Sequence, residues 1–435
     1  MLKGGRQWLK RRCDLPIYSW EPSLQQTKLI RPEYSERFRC IGPACEDSCC
    51  QGWAVPIDQP AFEKYQSLPT GPLRVLLEEN MERAPGEANP QHFARMRMGP
   101  SLTCPILTED RLCRIHAELG EEFLCRTCAV YPRIVSTIDN LEEKALSLSC
   151  PEAARLVLLD PDLTTRKGTN GAYQMTWDDT RHEVRELLPF LWPIREIVFT
   201  LVRNRSYPLW QRMFLLGTLC RRLDGVARGE VDRGVVPVLQ GFSGAVALGS
   251  LSAAMEQIPA DLPLQLDMVL QLAGLCRDRA VVGPRFVECI EQFRLGIGYA
   301  PEATLQTLIA GYADAQQRYF APFFKANPHI LENYLVNTIF RCQFPFGTKD
   351  GRLLSEPEMA RQFALLATQF ALVKGLLIGV AGFHKESFSA AHVVQTVQSA
   401  SKHFEHHPQF LDRVHALLVS TGRDNPHGLT MLLRN

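Results

Sequence analysis

The 435-residue sequence has almost no excess charge, since 48 basic and 47 acidic residues leave a formal net charge of +1. Nucleic-acid-binding domains usually present a strongly basic face, so this balance predicts no nucleic-acid partner. The first thirteen positions are locally basic, and we expect a solvated, poorly ordered lead-in over residues 1–38 rather than a lipid-binding segment. No apolar run follows these charges, so a secretory signal is not expected.

The sequence also lacks an uninterrupted apolar run that is long enough to span a membrane. Its most apolar stretch, residues 363–382, has about the required length but contains Lys374 near its middle. A charged side chain at the centre of a lone span is costly. We therefore predict no transmembrane segment but a core helix, in which Gly375 and Gly379 let a neighbouring helix approach closely. Peripheral membrane contact stays open as an alternative.

Cysteine, in contrast, is abundant and unevenly distributed. Fourteen cysteines in a long chain without a secretory signal predict a reducing, cytoplasmic location, where clustered thiols serve metals or redox chemistry rather than structural disulfides. Nine of them fall within one segment and are the predicted metal ligands. They are Cys40, Cys45, Cys49, Cys50, Cys104, Cys113, Cys125, Cys128 and Cys150.

The spacing of these nine residues predicts ligation by thiolates. Four thiols lie within the eleven residues 40–50, where glycine and proline permit tight turns. Neighbouring side chains of an extended chain point to opposite faces, so Cys49 and Cys50 could serve different centres. Cys125 and Cys128 have the two-residue spacing that lets two thiolates meet one metal. Spacing alone does not separate an iron–sulfur cluster from structural zinc, and a disulfide scaffold is the remaining alternative.

The pattern of apolar residues predicts a mainly α fold in which a loop-rich cysteine module, residues 39–165, packs on a larger α-helical domain, residues 166–435. Within the module, Asp58 and Gly71 each precede a proline at a predicted helix start, and residues 93–98 alternate like a short strand. After residue 177, apolar residues recur at helical spacing in long segments.

Three segments of the module carry a family resemblance. They are CIGPACEDSCCQGW (40–53), CPILTEDRLCRIHAELGEEFLCRTCAVYPR (104–133) and LSLSCPEAARLVLLD (146–160). Together they resemble the flagellin lysine-N-methylase family of motile bacteria, and the cysteine-rich part is similar to zinc- or iron-chelating domains with a CxxCxxCC-type motif. The segments at 332–347 and 392–414 also fit the methylase pattern, so the similarity runs from about residue 30 to the end.

This resemblance implies methyl transfer from S-adenosylmethionine to ε-amino groups of surface lysines on flagellin, in the cytosol. It also implies a [4Fe-4S] cluster held by the cysteine-rich motif, with zinc as the alternative. Eight of the nine cysteines match the shared pattern, while Cys150 matches the methylase alone. A non-enzymatic metal-binding or chaperone-like protein and a cluster-based redox protein are the rival functions, and self-association stays open.

Two motifs of adenosylmethionine chemistry are missing from the sequence. No Gly-x-Gly-x-Gly turn follows a clear strand, and the nearest glycine group, 241–249, is assigned to helix packing. The Cys-x3-Cys-x2-Cys spacing of radical enzymes is also absent, so a cluster that takes part in the reaction is arranged differently. The candidate cofactor-binding residues are Tyr131, Arg133, Tyr334 and Asn337. No catalytic base is assigned.

Overall fold

The structure is a computed structural model that describes most of the chain. The described residues are 26–28, 34–52, 55–84, 89–99, 102–110, 112–138, 141–163, 172–174, 186–277, 283–349, 352–354, 358–405 and 409–434. Most of the predicted lead-in and the predicted domain boundary at residue 165 lie outside them.

Helices dominate, and the prediction of a mainly α fold is confirmed. The helices are α1 Tyr34–Arg37, α2 Gln59–Gln66, α3 Pro72–Asn80, α4 Arg114–Leu119, α5 Arg126–Val130, α6 Pro151–Leu158, α7 Leu191–Arg203, α8 Leu209–Ala227, α9 Val235–Ala247, α10 Ser252–Glu256, α11 Leu262–Arg277, α12 Pro284–Gly296, α13 Leu305–Ala315, α14 Ala321–Ala326, α15 His329–Arg341, α16 Met359–His384, α17 Ala390–Phe404, α18 Phe410–Ser420 and α19 Pro426–Met431.

The strands are short, and all of their pairings are antiparallel. They are β1 Gln26–Lys28, β2 Pro56–Ile57, β3 Met81–Arg83, β4 Ala94–Met96, β5 Arg133–Ile138, β6 Leu141–Leu146, β7 Ala172–Gln174, β8 Thr348–Lys349 and β9 Arg352–Leu353. Strands β2, β4 and β3 form one sheet in that order, and β5–β6, β8–β9 and β1–β7 form pairs. Strand β4 confirms the strand predicted within 93–98, whereas the β5–β6 hairpin was not predicted.

Helix α16 forms the centre of the larger core and packs against α8, α11, α12, α13 and α17. Its side chains from Phe363 to Gly382 are all buried, Lys374 included. By length and composition, the segment Met359–Ser387 could cross a membrane, but its most apolar window is entirely buried inside the protein. The burial agrees with the predicted core helix.

Close helix contacts depend on glycine at this centre. A Cβ on Gly375 would lie 2.1 Å from Cγ2 of Val269, and one on Gly379 would lie 2.3 Å from the ring of Phe293. The predicted role of both glycines is therefore confirmed. Packing is the wrong role for Gly241 in α9, because a Cβ there would meet no atom within 4 Å.

A second, smaller hydrophobic core lies under the cysteine-bearing loops. It joins α2, α3 and the three-stranded sheet through side chains that include Ile57, Tyr65 and Leu77. Strands β5 and β6 and helix α6 instead contribute to the large core around α16. The cysteines thus lie on segments that adjoin both cores.

Candidate functional site

The first cysteine loop turns back on itself, which brings adjacent thiols to one side. Gly42 has a φ of 54° at the start of a 3₁₀ turn, and its N–H donates to Sγ of Cys40 at 3.4 Å. The Sγ atoms of Cys49 and Cys50 lie 4.0 Å apart. The expectation that these two side chains point to opposite faces is wrong, because residues 49–50 form a turn rather than an extended strand.

Backbone pairing holds the first loop against the second cysteine segment. The N–H of Cys104 donates to the carbonyl of Cys50 at 2.9 Å, and the N–H of Gly52 donates to the carbonyl of Leu102 at 2.9 Å. Residues 50–52 and 102–104 therefore run antiparallel, which places Cys50 beside Cys104 although 54 positions separate them in the sequence.

Three cysteines stand at the N-termini of helices. Cys113, Cys125 and Cys150 precede α4, α5 and α6, and backbone N–H groups of the first turn point at each sulfur. Such N–H groups and the helix dipole favour a negative charge, so these positions favour thiolates. The helix ends aim the sulfurs and stabilise the charge that a metal ligand needs.

Asp58 fixes the Cys125–Cys128 pair to the smaller core. One carboxylate oxygen accepts the N–H of Ala61 at 3.2 Å and caps α2, as predicted from the sequence, while the other accepts the N–H of Arg126 at 2.6 Å. The hydroxyl of Tyr65 donates to the carbonyl of Phe123 at 2.8 Å. These two contacts hold α2 against the start of α5 and the turn that precedes it.

We call eight thiols the cysteine array because each lies close enough to others for an ionised neighbour to change its pKa. The array comprises Cys45, Cys49, Cys50, Cys104, Cys113, Cys125, Cys128 and Cys150. It combines thiols from four separate stretches of the chain. Cys40 is exposed at the start of the first loop.

Burial and mutual repulsion limit ionisation of the array. Burial raises the pKa of Cys104 to about 11 and that of Cys150 to about 12. Cys49 differs: a hydrogen bond from Cys50, aided by the charge of Lys402, lowers its pKa to about 7. Several thiolates close together need a cationic centre, and thiolates are the ligands that zinc and iron–sulfur clusters prefer.

The donor chemistry of the array therefore fits a thiolate-bound metal centre. Among the described residues, no three Cys, His, Asp or Glu side chains stand at distances that would hold a single ion. The thiol ligands, their partial burial and the N–H groups directed at three of the sulfurs support metal ligation by the array as a set. Metal ligation by the predicted cysteines stays a prediction.

Helix α17 binds the first cysteine loop through hydrogen bonds and an ion pair. The Asp47 carboxylate accepts hydrogen bonds from Lys402 Nζ and Gln398 Nε2, each at 2.8 Å, and Lys402 also donates to the carbonyl of Ser48 at 2.9 Å. Gln398 further donates to the carbonyl of Ser149 at 2.9 Å. One helix therefore holds the chain on both sides of the array.

Tyr131 lies at the edge of the array, as part of a buried polar network. Its hydroxyl is 3.0 Å from Oγ of Ser149, which lies 2.6 Å from Oγ of Ser147. Ser147 donates to a carboxylate oxygen of Glu405 at 2.5 Å, and the other oxygen lies 3.5 Å from Nε of Arg341. Burial, together with the negative charge of nearby Cys150, raises the pKa of Tyr131 well above its ordinary value.

The other three candidate cofactor residues occupy different surroundings. Arg133 donates to the carbonyl of Phe38 at 3.1 Å and lies over its ring. Tyr334 is buried in the large core, and its hydroxyl has no hydrogen-bond partner among the described residues.

Asn337 joins α15 to strand β6. Its carbonyl oxygen accepts the hydroxyl of Tyr34 at 2.7 Å and the N–H of Leu146 at 3.2 Å, while its amide donates to the carbonyl of Leu146 at 2.8 Å. These bonds give Asn337 a structural role. Its predicted contact with a cofactor stays a prediction.

The sequence interpretation missed the polar residues of α17 and the segment that follows it. Gln398, Lys402 and Glu405 are four and three positions apart, so they form a polar stripe on one face of α17 and its C-cap. That polar stripe was a usable signal. Its partner is the short loop at Asp47, and nothing in the sequence of that loop predicts the contact with α17.

Comparison with known proteins shows which family the chain is similar to. A family described as the FliB lysine N-methylase C-terminal domain matches residues 195–432. A protein named lysine-N-methylase from Salmonella typhimurium is 22% identical over 421 residues, which cover 92% of this chain and 98% of that protein. A protein of the same name from Salmonella choleraesuis is also 22% identical, with the same coverage.

A flagellar biosynthetic protein named FliU, from Salmonella muenchen, is 34% identical over 140 residues. The match covers 32% of this chain and 82% of FliU. No solved structure matches the chain.

Proposed function

Because the chain belongs to the FliB lysine N-methylase family, we propose that it transfers methyl groups from S-adenosylmethionine to ε-amino groups of lysines on flagellin in the cytoplasm. The two Salmonella proteins named lysine-N-methylase align along almost their whole length, which supports lysine as the target. The flagellar name of FliU supports a flagellar substrate.

We further propose that the cysteine array holds a [4Fe-4S] cluster, with zinc as the alternative. The observation that carries this proposal is the convergence of thiols from four stretches of chain on one small region, in which Cys125 and Cys150 are buried and most of the others are partly exposed. Helix N-termini face three of them, and a lysine–aspartate pair holds the loop that bears Cys45, Cys49 and Cys50. Zinc and a [4Fe-4S] cluster each take four protein ligands, so the eight thiols of the array exceed one site of either kind.

Methylation of lysine requires a neutral amine, because the ε-ammonium group has an ordinary pKa of about 10.4 and no lone pair for attack. S-adenosylmethionine supplies an electrophilic methyl group on its sulfonium sulfur. The protein must desolvate the amine, accept its proton and align it. Tyr131 borders the array and Tyr334 is buried with an unpartnered hydroxyl, so these two stay the proposed cofactor-contacting tyrosines.

Anaerobic purification tests the centre directly. We expect a brown protein that contains iron and acid-labile sulfide. Cys125→Ser and Cys128→Ser should each lose the colour, whereas Cys220→Ala, which changes a buried cysteine of α8, should keep it. A colourless protein with stoichiometric zinc would overturn the iron–sulfur assignment.

Co-expression with flagellin tests the activity. Mass spectrometry should find methylated lysines with the wild-type protein and none without it. Unmodified flagellin in the presence of folded, fully loaded protein would refute the proposal and leave the binding or redox alternatives. Methylation by a colourless Cys125→Ser protein would make the centre structural.

A further inference from the structure

A groove of about 660 Å³ lies between α11, α19 and the start of α13, on elements that carry none of the array cysteines. Pockets of about 300–1,000 Å³ are typical of small-ligand sites. Leucines form much of its wall, and two of them are unusually open: Leu270 is 42% exposed and Leu305 is 65% exposed. Exposed leucines that meet in a concave site indicate a surface for an apolar group.

The α11 wall of the groove also carries two carboxylates. Asp261 accepts the backbone N–H of Leu264 at 2.9 Å, and Asp267 accepts the side-chain amide of Gln271 at 2.7 Å. Within the described residues, neither carboxylate forms an ion pair with a lysine or arginine. Each therefore keeps most of its negative charge available to a cationic ligand.

The opposite wall has a different character. It is formed by the 422–425 turn and by α19, and it contributes Arg423, His427 and Met431. The groove is thus lined by leucines, with carboxylates on the α11 side and with Arg423 and His427 on the side of the turn and α19. A ligand that fits has an aliphatic stem with a cationic head and is attached to a polar backbone.

We propose that this groove docks a lysine-bearing segment of the substrate protein through a lysine other than the one that is methylated, an inference that rests on the proposed function. A lysine side chain lays its four methylene groups along leucine and keeps its ammonium group at a carboxylate. The leucines would contact the stem and Asp267 would receive the ammonium group. Arg423 would face carbonyl or acidic groups of the segment.

Binding of short peptides tests the groove without any need for catalysis. The probe is a fluorescent flagellin peptide that contains one lysine, compared with the same peptide in which norleucine replaces lysine. We expect the lysine peptide to bind about tenfold more tightly to the wild-type protein. Equal affinities for the two peptides would overturn the proposal.

Charge reversal at Asp267 provides a second test of the groove. Asp267→Lys should weaken binding of the lysine peptide about tenfold and raise KM for flagellin, with little change in kcat. Glu302→Lys is the matched control, since Glu302 is exposed nearby and does not line the groove. An unchanged KM in Asp267→Lys would refute the groove as the lysine site.

A further measurement distinguishes the substrate segment from S-adenosylmethionine as the occupant of the groove. The affinity for S-adenosylmethionine should be the same in Asp267→Lys and in the wild-type protein. A large loss of that affinity would assign the groove to the cofactor and overturn our proposal. Specific lysine-peptide binding without any methylation would support the groove while refuting the proposed function.

Discussion

The ammonium group of Lys402 lies 2.8 Å from the carboxylate of Asp47, and 355 positions of the chain separate the two residues. Only 14% of the Lys402 side chain and 13% of the Asp47 side chain are exposed. Burial alone would raise the pKa of Asp47, but the charge and hydrogen bond of Lys402 lower it below its ordinary value. This ion pair joins the first cysteine loop to α17.

Lys402→Met should therefore loosen the cysteine loop. The change removes the cationic partner of the largely buried Asp47 carboxylate, which keeps the hydrogen bond from Gln398. We expect a loss of about 2 kcal/mol in the free energy of unfolding. Iron content per protein should also fall. Chemical denaturation and iron analysis measure the two effects. The control is Lys325→Met, which changes an exposed lysine; equal iron contents in both variants would contradict the predicted link.

Asn337→Ala should destabilise the protein by about 3 kcal/mol, because it leaves the N–H and carbonyl of Leu146 and the hydroxyl of Tyr34 without their partner in a buried site. Tyr34→Phe removes one of these bonds and should cost about 1 kcal/mol. Thermal unfolding gives both values.

The same variants test the predicted role of Asn337 at the cofactor. With a structural role, folded Asn337→Ala protein binds S-adenosylmethionine as tightly as the wild-type protein does. A large fall in that affinity without a loss of stability would instead show contact between Asn337 and the cofactor.

Gly296→Ala should disrupt the crossing of α12 and α16. The added Cβ would lie 1.8 Å from the carbonyl oxygen of Gly379, so the helices must separate, and we expect a cost of about 3 kcal/mol or more. Gly241→Ala is the matched control in a helix with open space, where the change should stabilise by about 0.5–1 kcal/mol. Similar melting temperatures for the two variants would contradict the close packing.

Lys374 should make stability depend on pH. Burial lowers its pKa to about 7, whereas the unfolded chain keeps a pKa of about 10.4. Between these values the unfolded state binds more protons, so stability rises as pH increases across the window. Below pH 7 the buried lysine is charged and its full penalty is present.

Lys374→Met removes this penalty, although it also removes the hydrogen bond from Nζ to the carbonyl of Leu433. We expect the variant to be more stable than the wild-type protein by about 2 kcal/mol near pH 6, with the gain shrinking towards pH 10. Denaturation across this range measures the difference, with Lys325→Met as the exposed control. A gain that stays constant with pH would rule out titration of Lys374.

Several elements were readable from the sequence because local physics forms them. Asp58 and Pro60 mark the start of α2, since a capping carboxylate and a fixed φ suit a first helical turn. The β5–β6 hairpin was not predicted from the sequence, although Asp139–Asn140 is a good turn sequence. The reason is that β6, Leu141–Leu146, consists of leucine, glutamate, lysine and alanine, all helix formers, and its pairing with β5 overrides that propensity.

The sequence by itself determined the helical character, the buried apolar helix with its glycines, the thiol-rich module and the family resemblance. Each depends on residue type or on spacing along the chain. Only the tertiary structure decided that Cys50 lies beside Cys104, that Lys402 holds Asp47 and that Asn337 is bonded to β6. Those relationships join residues through packing of distant elements, and no local propensity encodes which distant elements meet.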